Sequence, residues 1–244
     1  MAIIRGIHSE FIKLRHTAIL WLHLFIPLIG AMVFTFYFIF YPQVTGNQKL
    51  SLVLELTAAI FPIVISVVCG MMATLEEKAA GFQVMLSDKN GRVIPYFNKL
   101  LTAIILGALA MIVLVSLIGL SLYFTTSNQV AYPRLILGAV GMFIGAIPLY
   151  FIQMFLSIRW GLSSSVFVGV IGSLLAIMFS NVDVASWVFI PFAWSMKTMQ
   201  HLIQVIPLSA KFGGELGIIA TISLIFLLFS FIWFQRWEGR KSFE

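Results

Sequence analysis

The side chains able to do chemistry are few in this chain, and they do not gather. Four histidines, His8, His16, His23 and His201, are scattered through 244 residues, none beside carboxylates at the spacing that holds a metal ion. Cys69 is the lone cysteine and lies in an apolar stretch; it can form no intramolecular disulfide and reads as a small hydrophobe. No HExxH occurs, and no GxSxG frames a serine. A phosphate loop is also missing: Gly239 to Ser242 runs Gly-Arg-Lys-Ser and lacks both the upstream glycine and the Gly-Lys pair. His23, inside an apolar run, reads as a satisfied polar group rather than a ligand. Catalysis by this chain alone is not expected, and neither is a metal or cofactor within it.

The elements that carry these residues follow from composition. The chain is 61% hydrophobic and 10% charged, with a mean hydropathy of +1.05. A soluble domain has roughly a quarter charged residues, and one of this size could not hide so much apolar surface. Lipid removes that difficulty. At about 20 apolar residues per crossing, six crossings fit in half the chain, which leaves one transmembrane domain over 1–244 and no room for a soluble one. The spans fall at about 18–40, 52–74, 100–124, 135–157, 162–179 and 215–235, with Pro27 and Pro62 as expected kinks. The first run is too long for a signal h-region and no small-x-small site follows, so it is expected to stay as a span. Residues 3–16 repeat Ile3, Ile7, Phe11 and Leu14 at helical spacing with basic residues on other faces; this is the pattern of an amphipathic interfacial helix, although a frayed terminus would fit too.

Basic residues give an orientation. With the N-terminus in the cytoplasm, Arg5, Lys13, Arg15, Lys78, Lys89, Arg92, Lys99, Arg159, Arg236, Arg240 and Lys241 fall inside, and Lys49, Arg134, Lys197 and Lys211 outside. Cytoplasmic loops carry the excess of Lys and Arg, so both termini are expected to be cytoplasmic. The net charge of +6 then belongs to that membrane face, and nucleic acid is not an expected partner.

Small residues mark faces for close helix packing: Gly138, Gly141 and Gly145 in the fourth span, and Ser165, Gly169 and Ser173 in the fifth. They could meet a helix of this chain or of a second subunit. The span interiors hold almost no ionisable groups, and Glu55 and Glu215 fall near outer ends. Ion-driven transport normally needs such groups at mid-depth. The most informative polar segment is 75–98, which opens Leu75-Glu76-Glu77-Lys78-Ala79-Ala80-Gly81-Phe82-Gln83-Val84-Met85-Leu86. Phe82, Met85 and Leu86 at i, i+3, i+4 suit a short helix that docks exposed hydrophobes into a partner groove, with Glu76 and Glu77 at the rim. A membrane-surface helix that merely orients the second span is the alternative. The mixed stretch 181–214, with Trp187, Phe189, Phe192, Trp194, Phe212, Pro191 and Pro207, could shape a surface for an amphiphilic peptide, or could be an ordinary aromatic belt.

These features together resemble the ABC-2 type transporter permeases: a basic amphipathic N-terminal helix, six spans, and Glu-Glu-Lys-x-x-Gly-Phe-Gln-x-Met-Leu between spans two and three, followed by Lys99. The opening Ile-x-x-Glu-Phe-Ile-Lys-Leu-Arg-His-Thr over 7–17 and the Trp-rich stretch before span six are similar to the permeases of lantibiotic self-immunity. The resemblance implies the ABC-2 (type V exporter-like) permease fold and a coupling helix at 75–98, which assigns Glu76, Glu77, Gly81, Phe82, Met85 and Leu86 to contact with an ATPase. It also implies short or re-entrant helices before span six. The partners implied are two copies of an ATP-binding subunit, which holds ATP and Mg, and a second related permease chain. The substrate implied is a lanthionine-containing antimicrobial peptide expelled from the plasma membrane of a Gram-positive bacterium, with Trp187, Phe189 and Trp194 as substrate-facing candidates. Other ABC-2 exporters, for drugs, lipids or glycoconjugates, and a non-transporting membrane scaffold are the competing readings.

Overall fold

A computed structural model of the chain describes residues 2–89, 91–126, 130–180, 185–203 and 210–240. Parts of the loops read from the sequence lie outside these residues: 127–129 with Ser127, 181–184, and 204–209 with Pro207. The side chains of Ile3 and Lys211 and the tail residue Lys241 lie outside as well.

The described chain is helical, with no strand. A short helix α1 (Ala2–Leu14) precedes α2 (Ala18–Phe40), α3 (Gly46–Ala80), the one-turn α4 (Gln83–Leu86), α5 (Val93–Thr125), α6 (Tyr132–Trp160) and α7 (Leu162–Ser180). Two 3-10 turns, Ala185–Phe189 and Pro191–Ala193, lead into α8 (Trp194–Ile203), and α9 (Ala210–Arg236) ends the fold. Six of these helices, α2, α3, α5, α6, α7 and α9, are long and apolar enough to cross a bilayer. The chain is therefore a multi-pass membrane protein, and an even number of crossings brings both termini to one end of the bundle.

The helices α3 and α5 run further than their apolar stretches. Helix α3 starts on a capping box between Thr45 and Gln48, so Lys49, read from the sequence as part of a polar loop, sits in its first turn. Its ammonium donates to the Phe38 carbonyl at 3.1 Å and caps the end of α2. At the other end the residues Leu75 to Ala80 are strong helix formers, and α3 continues through them to Gly81. Helix α5 begins at Val93. The expected 75–98 segment thus reduces to a turn between 81 and 92.

Helix α6 is the axis of the bundle. Its span is 56% buried, whereas that of α9 is only 11% buried, because α6 touches α3, α5, α7, α8 and α9. Its glycines explain the closeness. A Cβ at Gly141 would lie 2.8 Å from Leu202 Cδ1 and 2.9 Å from the Thr198 carbonyl oxygen, so α8 can rest there only on glycine. The Thr198 hydroxyl seals the contact, 2.7 Å from the Gly141 carbonyl oxygen and 2.6 Å from that of Trp194. The glycine face therefore meets a helix of this same chain. On α7, Ser165, Gly169 and Ser173 are buried, and a Cβ on Gly169 would come within 3.0 Å of the Pro62 carbonyl oxygen of α3.

Candidate functional site at the end of the bundle that carries the termini

Four charged residues meet where α1, α3 and α5 converge. The Lys99 ammonium lies 2.6 Å from Glu10 Oε2 and 2.9 Å from Glu76 Oε1, and the Lys13 ammonium lies 2.8 Å from Glu10 Oε1 and 2.9 Å from Glu76 Oε1. Two cations face two carboxylates, and Lys99, Glu10 and Glu76 are all buried. Burial of a lone charge would cost several kcal/mol; here each carboxylate bridges both ammonium groups, and α1 is fastened to α3 and α5. Burial opposes the Lys13 ammonium, but the hydrogen bonds and negative charges of Glu10 and Glu76 outweigh it and hold its pKa above the usual lysine value. Helix α1 also lies close on α5 beside this cluster, since any side chain at Gly6 would strike Asn98.

Beyond the cluster the chain reverses sharply. Gly81 at φ +55° and Phe82 at φ +66° are both left-handed. The Gly81 amide donates to the Glu77 carbonyl and the Phe82 amide to the Glu76 carbonyl, so carbonyls in the last turn of α3 are satisfied as the chain reverses. A left-handed phenylalanine is disfavoured by roughly 1–2 kcal/mol. Its buried ring offsets that cost, packed edge-on to Trp237 with centroids 5.0 Å apart. Arg240 crosses the same ring at 5.4 Å, pairs with Glu77 and donates to the carbonyls of Ser157 and Ile158 at the end of α6. Arg92 adds hydrogen bonds of 3.2 Å to the carbonyls of Gln235 and Trp237. The turn is thus held by α9 and the residues that follow it.

This geometry corrects the reading of the apolar trio. Phe82 and Met85 are buried in the core and Leu86 is half-buried, so these residues are not exposed anchors. They face the end of α9, which lies about 150 residues further along the sequence. Glu76 is equally committed, to Lys99 and Lys13; Glu77 remains at the surface beside Arg240. What the turn offers outward is Gly81, Gln83, Val84 and Ser87, with Val84 56% exposed. No local pattern singles out Val84, because its exposure depends on which side of the turn the end of α9 covers.

At the opposite end, the three aromatic candidates separate in the same way. Trp194 is fully buried, and its indole donates to the Val188 carbonyl at 2.9 Å. Trp187 is buried too, stacked on His201, whose other face carries Phe212 at 4.5 Å. Both tryptophans hold the segment together, Trp194 through this hydrogen bond and Trp187 through its stack on His201. Phe189 alone is exposed, at 69%. Among the described residues no group of three His, Cys, Asp or Glu comes together to hold a metal ion. No protein-family model, curated protein or solved structure matches the chain.

Proposed function

We propose that the chain is the permease subunit of an ABC transporter that expels a lantibiotic-type antimicrobial peptide from the plasma membrane of a Gram-positive bacterium, giving self-immunity. In this reading a separate ATP-binding subunit, present in two copies, binds Mg and hydrolyses ATP, and a second, related permease chain completes the path. The end that carries the termini is cytoplasmic, in keeping with its excess of basic residues. The ABC-2 resemblance of the sequence is the ground for the family.

The observation that carries the reading is the clamped turn at 81–87. A contact that transmits force must not yield. This one presents Gln83 and Val84 to a partner while Phe82, Trp237, Arg240 and the Glu10–Lys99–Glu76 cluster brace it from behind. Helix α3 leads from the turn without a break for 35 residues, about 50 Å at 1.5 Å per residue, so a push on the turn reaches the far side of the membrane. There Phe189 stands exposed beside the α8 segment and is the residue best placed to touch an amphiphilic peptide.

The test is co-expression with an ATP-binding subunit whose phosphate loop is intact or inactivated, followed by challenge with a lanthionine-containing peptide. Resistance should require this chain and the intact loop together. Resistance that survives inactivation of the loop would overturn the reading. If the ATPase co-purifies but only other compounds are exported, a different ABC-2 cargo replaces the peptide.

A further inference from the structure

A cleft of about 130 Å³ opens in the apolar region between α2, α3 and α5. It exists because α2 packs along α5 and barely touches α3. Its wall reaches inward to buried Met111 and Val68, and its rim includes Ile26 and Ile60, which are exposed. The cleft is thus continuous with the lipid-facing surface of the spans, and whatever fills it must enter sideways from the bilayer.

One end of the cleft is polar. Pro27 has no N–H, so the His23 carbonyl loses its helical donor. His23 Nδ1 lies 2.7 Å from the Ile19 carbonyl oxygen and donates to it, which leaves Nε2 of the neutral ring as an acceptor. His23 falls five residues into α2 from Ala18, or about 7 Å along the axis from the start of that helix. The rest of the cleft, past Gly30 to Phe34, is almost wholly apolar. A tube that is polar near the surface and apolar in depth has the polarity of a lipid chain in its own leaflet.

We propose that this cleft is a binding site for one acyl chain of a membrane lipid, held with its polar end at His23 and its methyl end at Phe34 and Met111. The occupant is a lipid because the mouth meets only bilayer, and a single chain because the space is too small for a helix. The inference rests on the six crossings and not on the transport reading.

Reconstitution of the full chain in phosphatidylglycerol vesicles tests it, with a diazirine placed either near the end of the acyl chain or near its carbonyl carbon. After photolysis, the chain-end probe should label buried Met111, and the carbonyl-side probe should label Leu22 or His23. Met178, on the exposed face of α7, reports ordinary lipid contact. Ala110 lines the cleft, so Ala110→Phe should fill it and lower the Met111 label about tenfold, equivalent to roughly 1.4 kcal/mol of lost occupancy, with Met178 unchanged. Label confined to Met178 and other exposed faces of the unmodified protein would overturn the proposal, whether or not the variant folds. So would the reverse order of the two probes along the cleft.

Discussion

Both ends of the bundle bury a lysine, and the two are treated differently. Lys99 meets two carboxylates drawn from two other helices, with Lys13 closing the square. Lys49 finds a single backbone carbonyl and the ring of Phe38 at 5.4 Å. The end that carries the termini is thus joined by charge and by an aromatic clamp, which fix direction as well as distance. The opposite end is joined chiefly by close approach of small residues, α6 glycines against α8, with the Thr198 hydroxyl bonded to the Gly141 carbonyl across the contact. One end is built as a pivot; the other is built as a packed wall around the segment before α9.

The largest way to break this contrast is Lys99→Met. It leaves Glu10 and Glu76 buried with only half-exposed Lys13 for company, and loss of one partner from a buried ion cluster costs about 3–5 kcal/mol. A clear fall in the thermal midpoint of the purified protein is expected, whereas an unchanged midpoint would show that the cluster is open to water. Next comes Gly141→Leu, which drives a side chain into the Thr198 backbone and should cost about 1–3 kcal/mol or more by overpacking. Gly217→Leu is its control, since a Cβ there meets nothing within 4 Å, and its midpoint should stay near that of the parent. If both glycine variants behave alike, the wall is not packed by shape. Thr198→Val tests the same wall more gently, with about 1 kcal/mol lost from its hydrogen bonds.

The smallest effect is on pH dependence. A lysine whose pKa is raised on folding, as Lys13's is, binds its proton more tightly in the folded state. Its contribution is fully present below the unfolded value near 10.5 and fades as pH rises through the higher folded value. Lys13→Met should therefore flatten the alkaline limb of stability above about pH 10, with little change in shape at neutral pH. An alkaline limb identical to the parent's would remove Lys13 from the cluster.

What the sequence made legible divides along the same line. The spans were readable because apolar length is a local signal, and the glycine face of α6 because small residues at i, i+3, i+7 have few other uses in lipid. The end that carries the termini was readable only in outline. Glu76 looked like a rim charge because its partners lie at Lys99 and Glu10, remote in the chain. Phe82 and Met85 looked exposed because the surface that covers them, Trp237 and the end of α9, comes last. The tryptophans of the segment before α9 were misread for the same reason: type and position suggested a surface, while the Val188 carbonyl that satisfies Trp194 could not be seen without the fold.

The central claim is that a partner ATPase grips the chain at the outward side of the 81–87 turn. Cys69 is the lone cysteine of the sequence and is buried, so a single introduced thiol can report contact by itself. Val84→Cys and Phe189→Cys, each in the complete complex, are labelled with a short thiol-reactive photocrosslinker, whose light-activated end inserts into C–H or N–H bonds of whatever lies beside it. The account predicts a crosslinked product of this chain with the ATP-binding subunit from Val84→Cys and none from Phe189→Cys. An intact, co-purified complex that gives no such product at Val84→Cys, or gives it equally at Phe189→Cys, would contradict it.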